Sequence, residues 1–344
     1  MNASRTWVSV CVVVGLLAGT ASAVVIATVP VGNPGNAGEL SGSGAGGSGP
    51  DRICGAVAYD YRIGTHEVTA GQYTEFLNKV GGVDTYGLYN TDMARTDYGS
   101  GITRSGGGTV GDPYTYTVAS SHVNRPVNFV SYWDSCRFAN WMNNGQLSGA
   151  QGASTTERGT YTLDGYNGQG GRTIQRNANW KWAVTSEDEW YKAAYHKNDG
   201  VTGNYFDYPT SSDTAPGRDM ADVSGNNANY YTGSGPYPID SPYYTTVVGE
   251  FQNSDSPYGT FDQGGNVWEW NEAVVYEGDT WSHRGLRGGS FHNYDDTLHA
   301  SFRYDFDPTG EYSFFGFRVS EVPEPATIVM LALAGVGIIR RRRA

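Results

Sequence analysis

Charge is scarce in this chain: only 17% of its 344 residues are Asp, Glu, Lys or Arg, and there are just 3 Cys, 5 Met and 6 His. With 38% hydrophobic and 13% aromatic residues beside so little charge, a disordered polyelectrolyte is excluded, because there is enough apolar surface to bury a core. The strong helix formers Lys, Glu, Leu and Met are few, whereas Gly (48) and Tyr (25) abound, which argues against a helical bundle or coiled coil. Loops and short strands should dominate. Cations are short too. The formal net charge is −12, and Arg5 and Arg340 to Arg343 lie at the two ends with no acid beside them, so the middle of the chain is more acidic still. That balance argues against nucleic acid as a partner. No tandem repeat of fixed period is present, which leaves no basis for a solenoid or propeller.

Long apolar runs occur only at the ends. Arg5 precedes an apolar run from Trp7 to Ala18, and Ala21-Ser22-Ala23 supplies a small-residue cleavage pattern, so residues 1–23 read as a secretory signal peptide. At the other end Val322-Pro323-Glu324-Pro325 is followed by an uncharged run from Ala326 to Ile339 and then Arg340 to Arg343. Fourteen helical residues reach about 21 Å, short of the ~30 Å hydrocarbon core, so this is a short membrane helix with cytoplasmic arginines. The order of motif, helix and arginines resembles the PEP-CTERM sorting signal. That resemblance implies processing by an exosortase-type peptidase, transient membrane contact through residues 321–344, and delivery to the cell envelope, outer surface or extracellular matrix; a plain C-terminal anchor is the alternative. Cys11 leaves with the signal peptide. A disulfide between Cys54 and Cys136 is permitted by an oxidising compartment but not required, and Cys136 reads more readily as a small core residue.

Residues 24–54 are rich in Gly and Ser and read as a flexible spacer, placing the folded domain at 55–320. From Val57 to Ile63 apolar and polar residues alternate, which predicts a half-buried strand. Thr69 with Gln72 predicts a capped helix carrying Tyr73, Phe76, Leu77 and Val80 and ending at Gly81-Gly82. Ser131 with Asp134, and Thr185 or Ser186 with Asp188 or Glu189, predict two more helices. The Gly- and Thr-rich stretches 99–121 and 145–179 read as loops or irregular hairpins.

Several short words occur in one order: Glu67-Val68-Thr69 with Tyr73, Arg125-Pro126-Val127, the Thr185 to Ala194 helix, Gly265-Asn266-Val267-Trp268-Glu269-Trp270, Arg287-Gly288-Gly289-Ser290, and Gly316-Phe317-Arg318. Together they resemble the sulfatase-modifying factor family, the formylglycine-generating-enzyme domain. The resemblance implies an α+β fold, a variant of the C-type lectin fold with sparse regular structure. Active members oxidise a cysteine within Cys-X-Pro-X-Arg, using two cysteines that hold copper shortly after the Gly-Gly-Ser word. Those positions align here with Asn293 and Leu298, and thiolate sulfur is the soft ligand Cu(I) needs, so copper is not expected. The related sulfoxide synthases add a helical iron domain that this chain lacks, and His66, His122, His196, His283, His292 and His299 show no tight ligand spacing. No Ser-His-Asp or phosphate-loop motif stands out.

The resemblance also implies two structural calcium sites, a hard-cation chemistry of carboxylates and carbonyls. One would use Asn229, Tyr230, Asp240 and Pro242; the other Asp262, Gly265, Val267 and Glu269. The competing reading of the second set packs Trp268 and Trp270 in the core and pairs Glu269 with an arginine. Tyr230, Tyr231, Tyr243, Tyr244, Trp268 and Trp281 are candidates to stack on a peptide or glycan ligand. Three functions follow as alternatives: an exported, non-catalytic binding module; an enzyme of altered chemistry using His292, Asn293, Asp295 or Asp296; or a structural matrix component.

Overall fold

The computed structural model describes residues 23–322. The residues before Ala23, where a signal peptide is expected, and Pro323, Glu324, Pro325 and the apolar run after them, lie outside the described residues. The strands are β1 (Thr28–Val31), β2 (Glu39–Ser41), β3 (Arg52–Cys54), β4 (Tyr61–Gly64), β5 (Ile102–Ser105), β6 (Thr115–Val118), β7 (Trp182–Val184), β8 (Trp268–Glu277), β9 (Ser282–Arg287), β10 (Tyr304–Phe306), β11 (Phe315–Phe317) and β12 (Val319–Glu321). The α-helices are α1 (Ala70–Val80), α2 (Tyr132–Asn143) and α3 (Glu187–Tyr195). Most strands are three or four residues long, as a Gly- and Asn-rich chain with few strand runs dictates.

Two four-stranded sheets organise the molecule, one in the order β1-β4-β12-β7 and one in the order β10-β9-β8-β11. Within the second, β11 runs parallel to β8 while β9 is antiparallel to both neighbours. The pairs β2–β3 and β5–β6 form separate ribbons. All three helices begin at the expected caps, Thr69, Ser131 and Ser186, each with the reciprocal side-chain and backbone bonds of a capping box. Caps of this kind are worth about 1 kcal/mol each, and they fix where the helix starts whatever the tertiary context. Phe76 of α1, Phe138 of α2 and Phe317 of β11 meet edge to face, at 5.4 Å for both Phe76–Phe138 and Phe138–Phe317, and Trp133, Trp141 and Trp270 fill the same core.

Two expectations need correction. Residues 24–54 are not a loose spacer: β1 pairs with β4 from Thr28↔Gly64 to Val31↔Tyr61, and β2 pairs with β3. Their glycines serve close approach rather than flexibility. A Cβ at Gly47 would lie 2.2 Å from the Ser301 carbonyl oxygen, which only glycine avoids. The fold therefore starts well before residue 55. The strand expected from Val57 begins only at Tyr61, because Val57 and Tyr59 are engaged elsewhere. The Val57 carbonyl accepts from Gly35 N–H at 2.7 Å, and the Tyr59 hydroxyl donates to Glu189 at 2.6 Å.

Cys54 and Cys136 are both free and buried, in separate hydrophobic clusters. Burial pushes their thiols up to about 11 and about 12, so neither is a thiolate at neutral pH.

Candidate binding surface and metal sites

Two buried guanidiniums and one at the surface tie the sheets and loops together. Arg287, at the end of β9, and Arg303 both donate to Glu187 at the start of α3, at 2.7 Å in each case. Arg52 of β3 adds a third contact at 2.8 Å. Burial alone would raise the Glu187 carboxyl, but Arg287 and Arg303 outweigh it and hold the group well below the usual carboxylate range. Arg287 also donates to Ser41 Oγ and the Cys54 thiol, which fastens the N-terminal segment to the second sheet. Sequence reading did not single out this cluster; its members lie far apart in the chain.

The second expected calcium set sits at the start of β8. There Glu269 is fully buried, and Arg318 grips it bidentately, with both contacts at 2.6 Å, while Trp190 Nε1 donates to it at 2.7 Å. Asp262 accepts from Gly249 N–H at 2.5 Å, and burial raises its carboxyl to about 6. Gly265 bridges to Asn229 across its backbone, and Val267 is buried. In the first set Asp240 is paired with Arg125, and the Asp240 carbonyl accepts from Tyr243 N–H. Asn229 turns its amide to the Tyr244 carbonyl at 2.9 Å, leaving its Oδ1 buried without a partner. Tyr230 is buried with its hydroxyl donating to the Pro216 carbonyl, and Pro242 is exposed after a cis peptide bond. Among the described residues no three His, Cys, Asp or Glu side chains gather as a metal cage. In each set one acid answers a guanidinium, Glu269 that of Arg318 and Asp240 that of Arg125, whereas Asp262 accepts from the Gly249 N–H and Asn229 Oδ1 is buried without a partner. In the second set the structure shows Glu269 paired with Arg318, and Trp268 and Trp270 in the core.

Beyond Arg287 the chain turns through Gly288 and Gly289, both at positive φ (98° and 73°), where a Cβ at Gly289 would lie 2.3 Å from Thr297 Oγ1. This turn presents residues 290–298, the segment aligned with the copper-binding cysteines. Asn293 Oδ1 accepts from Trp268 Nε1 at 2.8 Å and from Ser290 Oγ at 2.6 Å. Leu298 is fully buried against Ala228 and Tyr230. The two positions therefore serve a hydrogen-bonded turn and an apolar cluster.

Around that turn lies a run of surface rings. Tyr312 stacks on Phe314 (5.5 Å), Phe314 on His292 (5.8 Å, 7° between planes), His292 on Tyr237 (4.6 Å), Tyr237 on Tyr231 (4.4 Å) and Tyr231 on Tyr294 (5.6 Å). Tyr294 is 55% exposed, Tyr312 42%, and His292 is exposed as well. Tyr231 N–H donates to the Asn293 carbonyl at 2.7 Å, which fastens the run to the turn. Of the expected stacking residues, Tyr231 belongs to this run. Trp268 and Tyr230 are buried, Tyr243 carries Arg125 over its face at 4.1 Å, Tyr244 packs on Phe291, and Trp281 leans on His283. Tyr237, Tyr294, Tyr312 and Phe314 were missed; the Tyr-, Ser-, Gly- and Pro-rich composition of residues 230–244 is the signal that points to the first. His292 is held by stacking, and its ring nitrogens have no hydrogen-bond partner among the described residues. Asp295 and Asp296 open the short 3-10 turn Asp295–Leu298.

Comparison with known proteins agrees with this architecture. A sulfatase-modifying factor enzyme 1-like domain model matches residues 48–322, and a PEP-CTERM protein-sorting motif matches residues 321–343. Among solved structures, CarF is similar at 19% identity with a TM-score of 0.55, covering 87% of this chain and 99% of that one. The variable protein 1 of Treponema denticola is similar at 18% identity with a TM-score of 0.50, covering 86% and 95%. At such identities these likenesses bear on the fold alone, the formylglycine-generating-enzyme variant of the C-type lectin fold. No curated protein gives a significant match. With the domain model spanning most of its length and the sorting motif at its end, the chain belongs to the sulfatase-modifying factor enzyme 1-like family.

Proposed function

We propose that this protein is an exported, non-catalytic binding module, sorted to the cell envelope or extracellular surface after exosortase-type processing. One observation carries the reading. Where the oxidase chemistry needs two thiolates, Asn293 is committed to Trp268 and Ser290 and Leu298 is buried, while the surface over them carries solvent-facing rings. An exposed aromatic patch on an otherwise polar surface is the mark of an interaction site. Neither of the remaining thiols stands in, since Cys54 and Cys136 are buried in separate clusters with raised thiol pKa values.

The test is direct. Full chain incubated with copper and a Cys-X-Pro-X-Arg peptide should return the peptide unchanged by mass spectrometry. Aldehyde formation would overturn the reading.

A further inference from the structure

We propose that Gln146 is the seat of the amino terminus left when the signal peptide is removed, and that this seat holds Val24 in the core and shields it from trimming. The inference is independent of what the ring surface binds. The Ala21-Ser22-Ala23 pattern places the cut between Ala23 and Val24. Ala23 is exposed, whereas Val24 is only 9% exposed and belongs to the main core cluster with Leu77, Val80 and Trp141. Two glutamines from different helices hold this end. The Val24 nitrogen donates to Gln146 Oε1 at 2.6 Å, and the Val24 carbonyl accepts from Gln146 Nε2 at 2.8 Å. One side-chain amide thus satisfies both backbone polar groups of a single residue, as a neighbouring strand would. Gln72 of α1 donates from Nε2 to the Val25 carbonyl at 3.0 Å, while its Oε1 accepts from Thr69 N–H at 2.9 Å in the helix cap.

Gln146 is itself fixed. It lies just beyond α2 at φ 61°, in the left-handed region, and its N–H donates to the Trp141 carbonyl at 2.9 Å. The next carbonyl, that of Leu147, accepts from Trp141 Nε1 at 3.0 Å. These bonds aim the amide at Val24. Hydrolysis of the Ala23–Val24 bond takes up one water and leaves a carboxylate on Ala23, which departs with the signal peptide, and an ammonium on Val24. An α-amine is mostly protonated at neutral pH, and it gives Gln146 Oε1 a charge-assisted hydrogen bond in place of an ordinary peptide one. The two hydrogens the cut adds meet solvent where Ala23 stood. Once seated, the end is closed to exopeptidases. Such an enzyme must take the amine and the first peptide bonds into its own site, and here the Val24 nitrogen and the Val24 and Val25 carbonyls are all bonded to the fold.

The experiment reads the terminus directly. Protein exported by cells should begin at Val24 by N-terminal sequencing. The same chain with Ala23 retained, incubated with a broad-specificity aminopeptidase, should lose one residue and stop at Val24. In Gln146→Ala, with circular dichroism unchanged, trimming should run on past Val24 and release valine about tenfold faster or more. Gln146→Glu, whose carboxylate still takes the ammonium, should keep most of the protection. An exported terminus at another residue overturns the proposal, as does trimming through Val24 and Val25 in the folded, unaltered chain, or protection in Gln146→Ala equal to that of the unaltered chain. Should Gln146→Ala fail to fold, the stop at Val24 in the chain that keeps Ala23 decides the matter. None of these outcomes touches the binding-module reading, which stands or falls on the Cys-X-Pro-X-Arg peptide.

Discussion

At the scale of single residues, the buried acids of this protein divide by what faces them. Glu269 meets a bidentate Arg318 with no exposure on either side, so Glu269→Gln leaves a guanidinium unpaired in the core. The expected cost is about 3–5 kcal/mol in chemical denaturation, with much of it recovered when Arg318 is replaced by Met in the same molecule. Because Glu269 and Asp240 are both committed to arginine, moving from excess calcium to EGTA should shift the melting temperature by less than about 1 °C. A rise of several degrees with calcium would establish the metal sites. Glu187 and Glu311 give opposite pH signs. Glu187 is held below its unfolded value, so its contribution is present above about pH 4.5 and lost as pH falls; Glu187→Gln should flatten the acid limb of the stability curve. Glu311 is raised to about 8 by burial and by the nearby Asp134 and Asp84 carboxylates. Its contribution is present below pH 4.5 and lost as pH climbs to 8, so Glu311→Gln should gain on the order of 1–2 kcal/mol at pH 8 and nothing at pH 4.

At the scale of elements, what sequence could reveal followed from how local each element's cause is. The three helices were legible because Thr69, Ser131 and Ser186 and their partners lie three residues apart, and the bonds that start each helix form within that window. β1 was not legible, since its reason is Tyr61 to Gly64 some thirty residues on, and its Gly-rich surroundings look like a linker until the Ser301 backbone is seen against Gly47. The site divides the same way. The loss of both thiols is visible in one line of sequence, whereas the ring run joins residues 231–237, 292–294 and 312–314 and exists only after folding. The N-terminal segment therefore yields a prediction that a spacer would fail. Gly47→Val drives side-chain atoms into Ser301, and Ser41→Ala removes the Arg287 contact; both should lower the melting temperature, the first by well over 5 °C on the scale of about 2–4 °C per kcal/mol for a domain of this size. In a tethered spacer neither change would register.

At the scale of the whole molecule, the described strands run up to the sorting signal. β1 and β12 lie on either side of β4, so the two ends of the domain share one sheet, and the last described backbone bond runs from Val322 N–H to the Lys181 carbonyl at 3.0 Å. Pro323 follows directly and has no N–H to continue the pairing. A peptidase acting near Pro323-Glu324-Pro325 would then cut after β12, the last described strand, and leave every described strand in the released part. Two measurements follow from that placement. A chain stopped after Val322 should melt within about 2 °C of the full chain, whereas one stopped after Arg318 loses β12 from the middle of its sheet and should not fold cooperatively. In cells, replacing Pro323, Glu324 and Pro325 with Ala should hold the protein in the inner-membrane fraction at its full length. The unaltered chain should instead appear shortened at the cell surface or in the medium, and equal release of both forms would detach the motif from sorting.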